Sequence, residues 1–186
     1  MITTTKDAAA GAGAAGAAAT LGLLAAWAVH DTEEALTVGR WSRERVPVLR
    51  ARHPRVPERI WQGLGSVNGR QFTAAAAVVA LVVGAAAADG YRTGGRSAFY
   101  QASLNAFGLH GLVHLGQAAA TRGYTPGVAT SPLLVVPFTL WARGRLRRAG
   151  VLRPTRPRDA AVGLAVAAAT AAAGHTVARR LLGHRP

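Results

Sequence analysis

Five stretches of the sequence are apolar and almost free of charge, and polar or basic stretches separate them. A helix that crosses the hydrocarbon core of a bilayer needs about 20 apolar residues. The stretches near that length are residues 8–29, 71–88, 97–120, 125–142 and 160–178. The pattern therefore predicts an all-α fold, a polytopic membrane bundle of about five transmembrane helices in one domain over residues 1–186. The alternative, a soluble bundle with buried helices, is disfavoured because so many apolar runs leave little polar surface.

Two arginine-rich segments lie between the predicted spans. Residues 35–70 hold eight arginines and residues 143–159 hold seven, and we expect both segments outside the bilayer. In the first segment Ile60, Trp61 and Leu64 recur at helical spacing, which predicts an interfacial helix over residues 58–65.

Charge and cysteine content narrow the class of function. The 186 residues carry a formal net charge of +14 and include no cysteine. So high a charge usually indicates nucleic-acid binding, but here the basic residues fill the gaps between apolar stretches, as they do in membrane proteins. We therefore expect membrane lipid, and no nucleic acid, as a partner. The lack of cysteine excludes disulfides, thiolate metal sites and cysteine nucleophiles.

The predicted topology brings polar residues from separate spans to one leaflet. Five crossings place the two arginine-rich segments on opposite sides, so the positive-inside rule does not decide the orientation. The fourth span, with three prolines, is the weakest crossing. The same alternation places three polar groups at one end of the bundle. They are His30 with Glu33 and Glu34 at the end of the first span, His110 with His114 in the third, and His175 in the fifth.

The spacing of these residues is suited to a metal ion. On an α-helix His30 shares a face with Glu33 and Glu34, and His110 shares one with His114. Two histidines at i and i+4 can bind one ion, and imidazole with carboxylate suits Zn, Fe or Mn. We therefore predict His30, Glu33, Glu34, His110 and His114 as ligands to a divalent metal, with Glu33 or Glu34 as a catalytic base. The residues predicted to support these ligands are Asn105, Gln117 and His175.

Each of these residues also has a structural interpretation. His30 with its two glutamates is compatible with a polar cap at the membrane interface, and His110 with His114 is compatible with hydrogen bonds between helices. Asn105 is better suited to a helix contact than to a metal. In the run from Tyr124 to Gly127, Thr125 and Pro126 predict the cap and first residue of the fourth span.

The run His30-Asp31-Thr32-Glu33-Glu34 resembles the signature that names the HXXEE family. Asn105, His110 and His114, followed by Tyr124-Thr125-Pro126-Gly127, are also similar to the pattern of that family. The resemblance covers about residues 20–142. It implies a small multi-pass membrane protein, largely bacterial, so we expect an integral protein of the bacterial cell membrane. It implies no particular activity.

Three functions are compatible with a membrane helix bundle that carries these polar residues. The first is a metal-dependent hydrolase or oxidoreductase that acts on a lipid or other amphiphilic substrate. The second is a proton-coupled carrier with a His/Glu relay, although the sequence has no inverted repeat. The third is a non-catalytic membrane scaffold with a buried polar network and lipid-binding arginine loops.

Overall fold

The helix boundaries were obtained from a computed structural model, which describes residues 15–67 and 69–154 and the single positions 169, 172, 174, 176 and 177. All regular secondary structure within these residues is helical, so the predicted all-α fold is confirmed. The elements are α1 (Ala17–Thr20), α2 (Gly22–Arg52), α3 (Glu58–Gly65), α4 (Gly69–Arg92), α5 (Ala98–Thr121), a π-helical turn (Ser131–Val135) and α6 (Val136–Arg148).

Two of the predicted spans, residues 71–88 and 97–120, coincide closely with α4 and α5. Local chemistry sets the ends of α5. The hydroxyl of Ser97 caps its start by accepting a hydrogen bond from the backbone N–H of Tyr100, at 3.1 Å. Arg122 closes it in the left-handed conformation, with φ 50°. Such a residue is a common way to end a helix.

The prediction of a loop directly after the first span was wrong, because α2 does not stop near residue 29. α2 is 31 residues long and ends at Arg52, so it includes residues 35–52 of the segment that was expected to be a loop, and Pro47 lies inside it. Arginine and glutamate are good helix formers, and the i,i+4 pair of Arg40 and Glu44 lies on this part of the helix, at 2.8 Å. The predicted helix over residues 58–65 is confirmed as α3, which packs back on α2 through Trp61.

The predicted start of the fourth span was also wrong. Thr125 and Pro126 lie in a turn, and regular helix begins at Ser131 and ends at Arg148. Gly127 has a φ of 81°, a backbone conformation that breaks a right-handed helix. α6 includes residues 143–148, the first part of the second arginine-rich segment, which was expected to be a loop. The fifth predicted span, residues 160–178, lies outside the described residues apart from the five single positions.

Small residues let the helices approach closely around the core. A Cβ atom at Gly90 would lie 2.5 Å from the ring of Tyr100, and one at Gly108 would lie 2.7 Å from Thr139. The hydroxyl of Tyr100 donates a hydrogen bond to the carbonyl of Ala19. The fully buried side chains around these contacts include Leu23, Leu104, Val135 and Leu146. Glycine at such contacts is typical of helices that pack through small residues.

The long helices run in alternating directions, which places the polar residues together. At one end, the turn between α4 and α5 contacts the end of α6, since a Cβ at Gly95 would lie 2.5 Å from Leu146. At the other end, Gly69 at the start of α4 lies against the carbonyl of Ala35, and Gly127 lies against His30 of α2. The polar part of α2 and the loop of residues 122–130, hereafter the loop before α6, therefore share one end of the bundle.

Among the described helices, α4 alone is long and apolar enough to cross a membrane, by length and composition. The second half of α2 is highly charged, and α6 has 13 residues. In α5 polar residues such as His110 and His114 lower the mean hydropathy of the helix. The multi-pass topology therefore stays a prediction.

Candidate metal centre

Four side chains from two helices converge in the polar end of the bundle. α2 contributes His30 and Glu34, and α5 contributes His110 and His114. One ligand atom from each residue lies within 4.8 Å of the ligand atoms of the other three. The i,i+4 spacing within each helix stacks each pair on one face, and the two faces meet where α2 packs on α5.

The carboxylate of Glu34 lies at the centre of this cluster. Its oxygens are 3.5 Å from His30 Nε2, 3.6 Å from His110 Nε2 and 3.4 Å from His114 Nε2. A tetrahedral zinc ion with ligands at about 2.0–2.1 Å would separate neighbouring ligand atoms by about 3.4 Å. The three distances are therefore close to the edge of such a tetrahedron. His110 Nε2 and His114 Nε2, which are 2.8 Å apart, would have to separate by about half an ångström to fit it.

Burial is uneven across the cluster. His30 and His114 are buried and the side chain of Glu34 is 11 % exposed, whereas that of His110 is 46 % exposed. His110 therefore marks the side on which the cluster opens to the surface. Within the described part of the chain, the buried Nε2 atom of His30 has no hydrogen-bond partner. Buried polar atoms nearly always have a partner, so a lone pair free to bind an ion fits this position.

The protonation states of His30 and Glu34 at neutral pH are those in which these side chains bind a metal ion. Burial lowers the pKa of His30 to about 4 against the opposing effect of Glu34, so that the ring is neutral at pH 7. Burial alone would raise the pKa of Glu34, but His110 and the other two imidazoles outweigh it and lower the pKa below its usual value. The neutral imidazole of His30 and the ionised carboxylate of Glu34 are donors that suit Zn, Fe or Mn.

Asp31 lies next to this donor set in the sequence and was not singled out by the sequence analysis. Burial, together with the negative charge of Glu34, raises its pKa to about 7. This carboxyl group is therefore partly protonated near neutral pH.

The side chain of Glu33 points away from the four-residue cluster and toward the loop before α6. Its Oε1 accepts hydrogen bonds from the hydroxyl of Tyr124 at 2.7 Å and the N–H of Ala129 at 3.1 Å. Its Oε2 accepts from the N–H of Thr130 at 2.8 Å and the hydroxyl of Thr130 at 2.6 Å. Burial alone would raise the pKa of Glu33, but these four hydrogen bonds together lower it. Glu33 therefore fastens the loop before α6 to α2 and lies outside the four-residue cluster.

The same loop contacts two of the histidines. Thr130 Oγ1 is 2.7 Å from His30 Nδ1. Gly127 packs so closely that a Cβ there would lie 2.9 Å from atoms of both His30 and His114. Sequence reasoning missed Thr130 because nothing in its surroundings distinguishes it from other threonines. It predicted the start of a helix at Thr125 and Pro126, although a glycine directly after a proline also indicates a turn with positive φ.

The residues gathered here include the motif His30-Asp31-Thr32-Glu33-Glu34. Residues 21–142 match the family described as "Protein of unknown function with HXXEE motif". The chain belongs to the HXXEE family. No curated protein and no solved structure matches the chain. The resemblance found in the sequence is therefore confirmed, and the geometry divides the HXXEE motif between the cluster (His30 and Glu34) and the loop before α6 (Glu33).

The supporting residues predicted around the HXXEE motif lie further away. Asn105 accepts a hydrogen bond from Arg143 of α6, five residues before His110 and on another side of α5. Gln117 is exposed on α5. His175 lies outside the described residues. In this structure Thr130 and Gly127 make the contacts with the cluster that were expected of these residues.

Proposed function

We propose that this HXXEE protein is a membrane-embedded, metal-dependent enzyme that acts on a lipid or other amphiphilic molecule, as a hydrolase or an oxidoreductase. The observation that carries the proposal is the convergence of three imidazoles on one carboxylate, each with a nitrogen within 3.6 Å of Glu34. Such a set is costly to desolvate without an ion or protons to balance it.

Each residue of the cluster has its own role in such a metal site. His30 and His114 are buried donors, and His110 is the donor at the open side. Glu34 contacts all three rings, so it either completes the donor set or, with the three histidines as ligands, accepts a proton from water. When bound, a divalent Zn, Fe or Mn ion supplies Lewis acidity toward an ester, amide or phosphoryl oxygen, or redox chemistry in the case of Fe or Mn.

The apolar exterior supports a bilayer as the environment. Only 17 % of the apolar window of α4 is buried, which is low for the core helix of a soluble protein. Leu81 of α4 is 75 % exposed, Leu133 of the π-helical turn 79 % and Leu140 of α6 66 %. Lipid around these side chains would remove their apolar surface from water. An amphiphilic substrate would then reach the cluster sideways, at the exposed edge of His110.

A non-catalytic scaffold is the second candidate, and one observation favours it. His110 Nε2 and His114 Nε2 lie at hydrogen-bond distance, 2.8 Å, so part of the polar network is satisfied by itself. In this case the cluster would hold α2 against α5 without any ion. The His110–His114 bond lies within α5, so the side-chain contacts that join the two helices are those of Glu34 with His110 and His114. Polar contacts between membrane helices contribute about 0.6–2 kcal/mol each.

Metal content separates the two candidates. Full-length protein purified in mild detergent, after growth with Zn, Mn and Fe, is analysed by mass spectrometry together with His114→Ala and Glu34→Ala. His53→Ala is the matched control, because His53 is exposed at the end of α2. We expect about one ion per chain in the wild type and the control, and loss of that ion in His114→Ala. Loss of the ion in Glu34→Ala as well would identify Glu34 as the fourth donor, whereas an ion retained there would identify Glu34 as the base.

Thermal unfolding of each variant shows whether it is folded. If the wild type carries no stoichiometric ion and takes up none of the three metals on titration, the enzyme proposal is wrong. A lowered melting temperature of metal-free His114→Ala would then support the scaffold.

The membrane environment has a separate test. Cell membranes are washed at alkaline pH, which strips peripheral proteins, and the chain is followed by immunoblotting. We expect it to stay in the pellet until detergent is added. Release by the wash would contradict the membrane part of the proposal and leave the metal part standing.

A further inference from the structure

We infer that Thr130 and Glu33 form a hydrogen-bonded relay that fixes the tautomer of His30, so that the Nε2 lone pair of His30 points into the cluster. The inference rests on the proposed metal centre and gives the first glutamate of the motif a positioning role. Glu33 and Thr130 lie 97 residues apart in the sequence, and nothing in the motif itself indicates that they meet.

The direction of the relay follows from counting protons. Both oxygens of Glu33 face donors, including the backbone N–H groups of Ala129 and Thr130. A carboxylate can only accept. The single hydroxyl proton of Thr130 is therefore donated to Glu33 Oε2, at 2.6 Å. The carbonyl of Gly127, at 3.4 Å, is a much poorer acceptor for that proton.

The hydroxyl oxygen of Thr130 then has only lone pairs left for His30. Since it lies 2.7 Å from His30 Nδ1, that nitrogen must carry the proton and donate it. In a neutral ring the other nitrogen is then unprotonated. The opposite tautomer would place the proton on Nε2, which has no hydrogen-bond partner among the described residues. The carboxylate of Glu34 is 3.5 Å from this atom, beyond ordinary hydrogen-bond length. The difference between 2.7 Å and 3.5 Å decides the tautomer.

Helix geometry explains why two adjacent glutamates serve different purposes. Successive residues of an α-helix are rotated by about 100°, so Glu33 and Glu34 point to opposite sides of the direction of His30. Glu34 faces α5 and its histidines, whereas Glu33 faces the loop before α6. In metal sites a partner that orients a histidine ligand in this way typically improves metal affinity about 10- to 100-fold.

The test combines the tautomer with the affinity. Long-range ¹H–¹⁵N NMR of histidine-labelled, metal-free protein in detergent micelles reports which nitrogen of His30 carries the proton, and a competition titration with a chelator gives the Zn²⁺ dissociation constant. Thr130→Val keeps the shape of the side chain and removes the hydroxyl, while Thr130→Ser keeps the hydroxyl. We expect the Nδ1–H tautomer in the wild type and in Thr130→Ser, with Zn²⁺ affinities within about threefold of each other. In Thr130→Val we expect loss of that preference and Zn²⁺ binding about 10- to 100-fold weaker.

The outcomes separate this inference from the proposed function. If the wild type shows the Nε2–H tautomer, or if Thr130→Val leaves the Nδ1–H tautomer unchanged, the relay is wrong whether or not metal binds. If the tautomer depends on Thr130 but no Zn²⁺ binds, the relay stands and the metal centre is wrong. Should Thr130→Val not fold, Glu33→Gln replaces it. Its amide group cannot accept at both positions, so a mixture of tautomers is expected, and an unchanged Nδ1–H tautomer would overturn the relay.

Discussion

Gly127→Ala perturbs the site without altering any of its donor atoms. Gly127 has a φ of 81° and lies against two rings, since a Cβ there would be 2.9 Å from His114 Cε1 and Nδ1 and from His30 Cε1. Ordinary carbon contacts are about 3.5–4.0 Å. The alanine methyl group therefore forces both rings away by about 0.6–1 Å, which is enough to disturb a metal site.

The expected cost has two parts. A side chain in the left-handed conformation costs about 1–2 kcal/mol, and each displaced ring costs about 0.5–1.5 kcal/mol as it leaves its preferred rotamer. The free energy of unfolding should therefore fall by about 2–5 kcal/mol. For a chain of this size that corresponds to a melting temperature lower by roughly 5–15 °C.

The assay is thermal unfolding of metal-free protein in detergent, followed by Zn²⁺ titration of the folded variant. Gly116→Ala is the matched control, because in the described part of the chain nothing lies within 4 Å of a Cβ at Gly116, inside α5. The control should be stabilised by about 0.5–1 kcal/mol. A Gly127→Ala protein that melts within about 2 °C of the wild type and binds Zn²⁺ equally well would show that this contact does not position the rings.

Two further predictions concern the bundle and the loop before α6. Tyr100→Phe removes the hydroxyl that donates to the carbonyl of Ala19, so the melting temperature should fall by about 2–4 °C, and an unchanged value would contradict a role for this hydrogen bond. The pKa of Glu33 is lower in the folded protein than its ordinary value of 4.5, so its contribution to stability is complete above pH 4.5 and is lost as the pH falls through the folded pKa. Denaturation midpoints between pH 6 and pH 3 should therefore fall less steeply in Glu33→Gln than in the wild type, and parallel curves would contradict this assignment.

The sequence was most informative where the signal is periodic and local. Unbroken apolar runs located α4 and α5 closely. Spacing by four placed His30 with Glu34, and His110 with His114, on common faces. The alternating direction of the predicted spans then indicated that the two pairs share one end of the bundle, and in the structure they form one cluster.

The sequence was least informative where the outcome depends on distant partners or on helix ends. α2 continues to Arg52 because charged residues that look like a loop are also good helix formers. Pro126 looked like the first residue of a helix, but the positive φ of Gly127 delays the helix to Ser131. The hydrogen bonds of Glu33 involve backbone N–H groups of Ala129 and Thr130, and every residue except proline has such a group, so no pattern of side chains predicts them.

The even division of the four donors between α2 and α5 has a consequence for a chain without cysteine. An ion bound by both helices would cross-link two segments that lie about 80 residues apart in the sequence, at His30 and at His110. Because unfolding separates the donors, the ion would bind the folded chain in preference to the unfolded one, and its binding free energy would add to the stability of the fold. Metal binding and folding of the bundle would then be coupled, so that a chelator lowers the stability of the fold and partial unfolding releases the ion.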